Sequence, residues 1–425
     1  MGNSPDILNV QQIHTTICWA ACIEMIARWI TPEEAKNISL NNTVPLQKEI
    51  LKSFYEIRPR AIGEAPINAS ELSMLANFCI TKDNYPRIPD NLPYFTIIFN
   101  NLFKISCYEI TLDGLPQFQF IKKKIASKNS FILRLRYPGL LGNVPHAVVA
   151  TKTESRYNLN LLKVNDPFAS FQSKNICAFS EDTSGLRKGV TAYLNYAELS
   201  YMNSANFLRG FVNSVSIVFN FVKAPLTIDS PATIPLETSQ PVGYKSIDEI
   251  VSLVKNLFKN GVVYKDQYTV QRKKFTRQVI QTFFPSLQDF LAKRLGDEIA
   301  LIPILYGGEQ QFDTLISFEN HAQNPYHFIG IRESYFPTLR QIKADQLKGA
   351  DLRLQDFQVD HSEPNYFLLH LQQVDFRFMV LKNSPELYIS LTHFPDVGLK
   401  YLSVYSYDEI RTILFKYFPL TTDSN

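Results

Sequence analysis

Residues 224–245, KAPLTIDSPATIPLETSQPVGY, set Pro225, Pro231, Pro235 and Pro241 among serines and threonines. Each proline removes a backbone donor and fixes its own φ, so the stretch suits neither a helix interior nor a central strand. At 425 residues the chain also exceeds what one compact core holds. The proline-dense stretch therefore reads as a linker between a first domain, 1–223, and a second, 246–425.

The first domain is helical before it is sheet-forming. From Cys18 to Ile30, apolar residues fall at Trp19, Cys22, Ile23, Ile26, Trp29 and Ile30, which is helical spacing. Thr15 or Thr16 suits the cap, and Thr31-Pro32 ends this helix and opens another. Further helices are expected near 46–55, 70–78 and 116–127. The runs SFILRLRY, HAVVATK and LNLLKVNDPF then read as strands, the last two joined by the polar turn TESRYN. The second domain opens on SIDEIVSLVKNLFKNG and closes on SYDEIRTILFKYF, each with Ser and Glu at capping-box spacing. Between them lie the strand-like runs IALIPILY, YFLLHL, FRFMVL, LYISL and YLSVYS. Both domains are thus expected to be α+β.

Composition excludes several classes of function. The net charge is +3, and the runs Lys122–Lys124 and Arg272–Lys274 are too short for a nucleic-acid patch. No apolar run has the length of a membrane helix, the N-terminus has no signal-peptide core, and Asp6 stands where a myristoylation signal needs Ser or Thr. Five cysteines without paired spacing argue against a disulfide framework and for a reducing, cytoplasmic setting.

Chemistry concentrates in NVQQIHTTICWAAC, residues 9–22. Cys18 stands at a helix start, where unpaired N–H groups and the helix dipole favour a thiolate. A histidine that takes the thiol proton and returns it to a leaving amine would complete a nucleophile. His146, in NVPHAVVATK, opens an apolar strand, and VNDPF brings Asn165 and Asp166 back beside it twenty residues on. Either one suits the task of orienting the imidazole, and Pro167 is expected to stop the strand there. Gln12, six residues before Cys18, suits an oxyanion donor, although Gln11 adjoins it and spacing alone separates the two.

The motifs QQIHTTICWAAC, HAVVAT and VNDPF resemble those of the papain-like cysteine peptidases. They look closest to the bacterial branch carrying Q-x5-C-W-A-A, H-A-V-V and N-D-P, which includes effector proteases and is related to bacteriocin leader peptidases. The resemblance covers about residues 8–170 and implies a papain-like fold there, a nucleophile helix packed on an antiparallel sheet. It implies Cys18 as nucleophile, His146 as base, Asp166 as orienter in preference to Asn165, and Gln12 in the oxyanion hole. It requires no metal and no organic cofactor. Residues 246–425 resemble no family and are left as the surface for a protein or peptide substrate or for a partner protein.

The remaining candidates have plainer explanations. His14 is a rival base, but so close in sequence it rarely approaches the sulfur from the required side. Cys22, Cys79, Cys107 and Cys177 read as core residues, and Trp19 as either core or cleft wall. His321, His327, His361, His370 and His393 match no zinc spacing. The sequence is therefore expected to encode a cysteine peptidase. The same four residues would equally serve a thiol acyltransferase or ligase, and a catalytically silent peptide-binding module is the rival of a different class.

Overall fold

A computed structural model describes residues 7–12, 18–39, 46–57, 94–127, 129–137, 144–169, 189–200, 214–223, 234–259, 268–270, 277–281, 297–306, 309–318, 322–333, 366–371, 376–381, 387–391 and 398–417. Helices combine with a largely antiparallel sheet, so the chain is α+β.

The first half begins with α1 (Cys18–Ile30), α2 (Pro32–Ile38), α3 (Leu46–Ile57) and α4 (Tyr94–Phe103). Then come β1 (Ser106–Leu112), α5 (Phe118–Ala126), β2 (Phe131–Tyr137), β3 (Val144–Arg156), β4 (Leu159–Ala169), β5 (Gly189–Asn195), α6 (Tyr196–Ser200) and β6 (Ser214–Val222). Every residue of α1 from Cys18 to Ala27 is buried. A helix enclosed on all sides needs apolar residues all round, and CWAACIEMIA supplies them except at Glu24. Glu24 accepts from Gln47 at 2.8 Å and pairs with Arg28 at 2.8 Å, so its charge is answered where it is buried.

Two cores lie on opposite faces of the sheet. Ile132, Ala147 and Val149 join Cys22, Ile23, Ile26, Phe54 and Phe99 under α1, α3 and α4. Their neighbours Phe131, Leu133, Val148 and Ala150 join Phe118, Ile121 and Tyr196 under α5 and α6. Alternation along β2 and β3 makes this division. Trp19 is core: its ring lies 5.2 Å from Phe54, which meets Tyr94 at 5.0 Å.

β3 and β4 form a tighter hairpin than TESRYN suggests. The strand runs on through Arg156, and only Tyr157 and Asn158 turn the chain, with φ of 52° and 62°. Two successive left-handed residues match the twist of the flanking strands. Pro167 likewise does not stop β4; it lies where the β4–β5 register shifts, between Asp166 and Ala169, and a bulge tolerates a missing donor.

The second half contributes β7 (Gly243–Tyr244), α7 (Ile247–Lys259), β8 (Tyr268–Val270), β9 (Arg277–Gln281), β10 (Asp297–Tyr306), β11 (Glu309–Phe318), β12 (Tyr326–Glu333), β13 (Tyr366–Leu371), β14 (Phe376–Leu381), β15 (Leu387–Ser390), β16 (Val404–Ser406) and α8 (Tyr407–Tyr417). Ser406 and Glu409 close a reciprocal capping box on α8, at 2.6 and 3.3 Å. On α7, Glu249 N–H likewise bonds Ser246 Oγ at 3.3 Å.

Strand pairing continues from one half to the other, because β5 pairs with β12. Gly330 permits this approach, since a Cβ there would overlap the Tyr193 carbonyl. Two buried bonds reinforce the seam: Asn195 Nδ2 donates to Phe328 O at 3.0 Å, and His327 Nδ1 lies 3.0 Å from Glu198 Oε1. The stretch 224–245, expected as a linker, is described from residue 234 onward. There Ile234 enters the core under α5, Glu237 Oε2 accepts from Phe118 N–H at 2.8 Å, and Gly243–Tyr244 pairs with β12. Among the described residues no helix is long and apolar enough to cross a membrane.

Candidate active site

Cys18 opens α1, and its thiol points at the start of β3. The Ala147 N–H donates to Cys18 Sγ at 3.3 Å, so a strand amide meets the sulfur directly. One residue earlier, His146 Nε2 lies 3.0 Å from Asp166 Oδ1. Cys18 also acts electrostatically on His146, helping it to hold its proton. With Nε2 turned to the carboxylate, Nδ1 is the ring nitrogen left for the sulfur.

Register explains how these residues meet. β3 and β4 are antiparallel, with Val149 opposite Asn165. Asp166 is then a diagonal neighbour of His146 on the same face, a separation that an imidazole and a carboxylate span. The next strand fits closely: a Cβ at Gly189 would overlap both Asp166 O and Asn9 Oδ1, so only glycine lets β5 and the N-terminal segment come this near.

Asn165 takes another task. Facing the opposite side of β4, its Nδ2 donates to Ile7 O at 2.8 Å. Asn9 Nδ2 reaches Thr191 Oγ1 at 3.3 Å, and Gln12 N–H donates to Pro167 O at 2.7 Å. Residues 7–12 are thus strapped along the ends of β4 and β5, which fixes the approach of the chain to α1. Gln47 adds a clasp from α3, donating to Gln11 O at 2.9 Å. Of these two neighbours, the Asp166 carboxylate meets the imidazole and the Asn165 amide anchors backbone. Gln12 is buried at this junction. Residues 13–17 are outside the described residues, and with them His14, Thr15 and Thr16.

The site is mostly enclosed: Cys18 is 6% exposed, His146 8% and Asp166 7%. Burial acts to lower the pKa of His146, but the Asp166 charge and bond, with the contact to Cys18, outweigh it and raise the pKa to about 10. The imidazole is therefore held in its cationic form between an acid and a sulfur. Cys22, one turn into α1, has its thiol pushed well above its ordinary value by burial, with Cys18 and Asp166 adding to the effect. Cys107 is pushed up to about 12 by burial and donates to Thr96 Oγ1 at 3.8 Å. Both are structural thiols, while Cys79 and Cys177 lie outside the described residues.

Two contributors escape the motif pattern. A backbone amide such as that of Ala147 has no sequence signature. Arg134 has one: in FILRLRY it shares the face of buried Ile132, and an arginine at an inward strand position is a signal. It is 3% exposed and interacts electrostatically with Glu109 and Cys18.

Among the described residues no cluster of His, Cys, Asp and Glu has the make-up of a metal site. His327 is engaged with Glu198, while His321, His361 and His393 lie outside the described residues. No protein-family model matches the chain, and no curated protein matches it. The resemblance to papain-like peptidases therefore rests on the quoted motifs.

Proposed function

We propose that the chain is a cysteine peptidase of papain-like type, with Cys18 as nucleophile, His146 as general acid and base, and Asp166 as orienter. The observation that carries this reading is that His146 bonds Asp166 while the next residue, Ala147, meets the Cys18 sulfur, which stands at a helix start. Nucleophile, base and orienter brought together at one point is the arrangement that thiol acyl transfer needs.

The sulfur adds to a peptide or isopeptide carbonyl, and negative charge collects on the carbonyl oxygen. The Cys18 N–H and the Gln12 side chain are the proposed donors for that oxygen. His146 then gives its proton to the leaving nitrogen as the C–N bond breaks, leaving an acyl thioester on Cys18. Water, deprotonated by His146, releases the acid and restores the thiol. No step requires a metal or organic cofactor. Residues 246–425 are proposed to recognise the protein or peptide substrate. The free thiols Cys18, Cys22 and Cys107 suit a reducing, cytoplasmic setting.

The test is digestion of an unfolded protein mixture with mapping of new termini by mass spectrometry, using wild type, Cys18→Ala and His146→Ala, with and without an added primary amine. New carboxyl termini made only by the wild type support the peptidase. Termini carrying the amine in place of water would make the chain a transferase. Cleavage that persists in Cys18→Ala would overturn the reading.

A further inference from the structure

We infer that Arg134 is a positioning residue for the proposed nucleophile: its buried guanidinium, set on the sheet face that α1 covers, holds positive charge against Cys18, and Glu109 is the counter-group that shares this charge. The inference rests on the peptidase reading and extends it to the other side of the sulfur from His146.

Three observations place Arg134. Arg134 stands directly opposite Ala147 in the β2–β3 ladder, and Ala147 is the residue whose N–H meets Sγ. Directly opposed residues of an antiparallel pair carry Cβ atoms about 5 Å apart. By alternation with Ile132, Arg134 faces the core that contains Cys18 and Cys22, and at 3% exposure its charge does not escape to solvent. Glu109 joins the same face from β1: it pairs with Val218 of β6, which in turn pairs with Ile132. Its Oε2 accepts from Thr96 N–H at 3.3 Å, in the first turn of α4.

A buried guanidinium is costly unless its charge is used. Here burial acts to lower the pKa of Arg134, and the charges of Glu109 and Cys18 oppose that. Burial also raises Glu109 to about 7, against the Thr96 and Phe95 amides and Arg134. As pH rises and Glu109 gains its charge, more of the arginine's field is answered by the glutamate and less by the sulfur. The titratable groups around this end of the core are Cys18 and Cys22 on α1, Tyr94 on α4, Cys107 and Glu109 on β1, His146 on β3 and Asp166 on β4. Glu24 of α1 is already engaged by Gln47 and Arg28.

The experiment is the pH profile of Cys18 alkylation by limiting iodoacetamide, read by peptide mass spectrometry on the full chain. Wild type, Arg134→Gln, Arg134→Lys, Glu109→Gln and His146→Ala are compared. Arg134→Gln is expected to slow labelling at pH 6 about tenfold and to move the midpoint up by about one pH unit. Arg134→Lys, which keeps the charge, should restore most of the rate. Glu109→Gln should speed labelling above pH 7, and this arm decides the matter if Arg134→Gln does not fold. A wild-type profile in folded Arg134→Gln, a Lys variant as slow as the Gln variant, or no effect of Glu109→Gln overturns the inference. If His146→Ala slows labelling while the Arg134 and Glu109 variants do not change it, only this inference falls. If wild-type Cys18 labels like a simple thiol and His146→Ala changes nothing, the peptidase reading falls with it.

Discussion

Glu109→Gln should stabilise the protein at neutral and alkaline pH and leave its stability unchanged in mild acid. The largely buried carboxyl titrates near 7 against an ordinary value of 4.5, chiefly because burial penalises its charge. Native Glu109 thus binds its proton more tightly than the unfolded chain does. Stability therefore falls as pH rises from 4.5 to about 7, and the loss is complete above that. At about 1.4 kcal/mol for each pH unit between the two values, the ionised form costs the fold about 3 kcal/mol. Glutamine keeps the shape and the acceptor for Thr96 N–H but carries no charge to desolvate. Urea denaturation of both forms at pH 5 and pH 8 measures the effect. The predicted result is a variant more stable by about 2–3 kcal/mol at pH 8 and by less than about 1 kcal/mol at pH 5. A difference of equal size at both pH values would show that Glu109 acts through packing and would refute the reasoning.

Other substitutions separate the tasks of neighbouring residues. Asn165→Ala should cost about 1–3 kcal/mol by leaving Ile7 O without its buried donor, seen as a lower urea midpoint. Asp166→Asn should keep the fold but lower turnover by about 10²–10⁴, measured per folded molecule on any substrate the termini mapping yields. His146 is raised from 6.5 to about 10, so its contribution to stability is full below pH 6.5 and is lost as pH rises through 10. The thermal midpoint of wild type should accordingly fall over that window more than that of His146→Gln. Replacing Tyr157-Asn158 with Asn-Gly, residues suited to the left-handed turn, should raise stability by about 1 kcal/mol in the same denaturation assay.

Much of this architecture is legible in the sequence because local chemistry and tertiary context agree. The periodicity from Cys18 to Ile30 matches a helix buried on every side, and the capping serines Ser246 and Ser406 mark two helix starts. The apolar run AVVA in HAVVATK reflects a strand covered on both faces, with Ala147 and Val149 in one core and Val148 and Ala150 in the other. Tyr94–Phe103 escapes such reading: YFTIIFNNLF is rich in strand-forming residues and becomes helical because it packs beside α1 and α3. The strand pairing between β5 and β12 joins residues more than a hundred positions apart, which no local pattern records. In the site, the His146–Asp166 pair follows from hairpin arithmetic, but Asn165 and Asp166 are told apart only by which face of β4 each occupies. Arg134 needed only the alternation of FILRLRY to be suspected, yet its neighbours Glu109 and Cys18 come from distant segments.

The central claim is that Cys18 forms a covalent acyl intermediate with help from His146. Its most direct test is acid-quenched mass spectrometry after mixing the protein with an activated ester of a blocked peptide. The account predicts a single acyl group on the Cys18 peptide of the wild type, turned over in seconds to minutes. It predicts far slower acylation in His146→Ala and none at position 18 in Cys18→Ala. Acylation spread over several residues, or equal in wild type and His146→Ala, would contradict it.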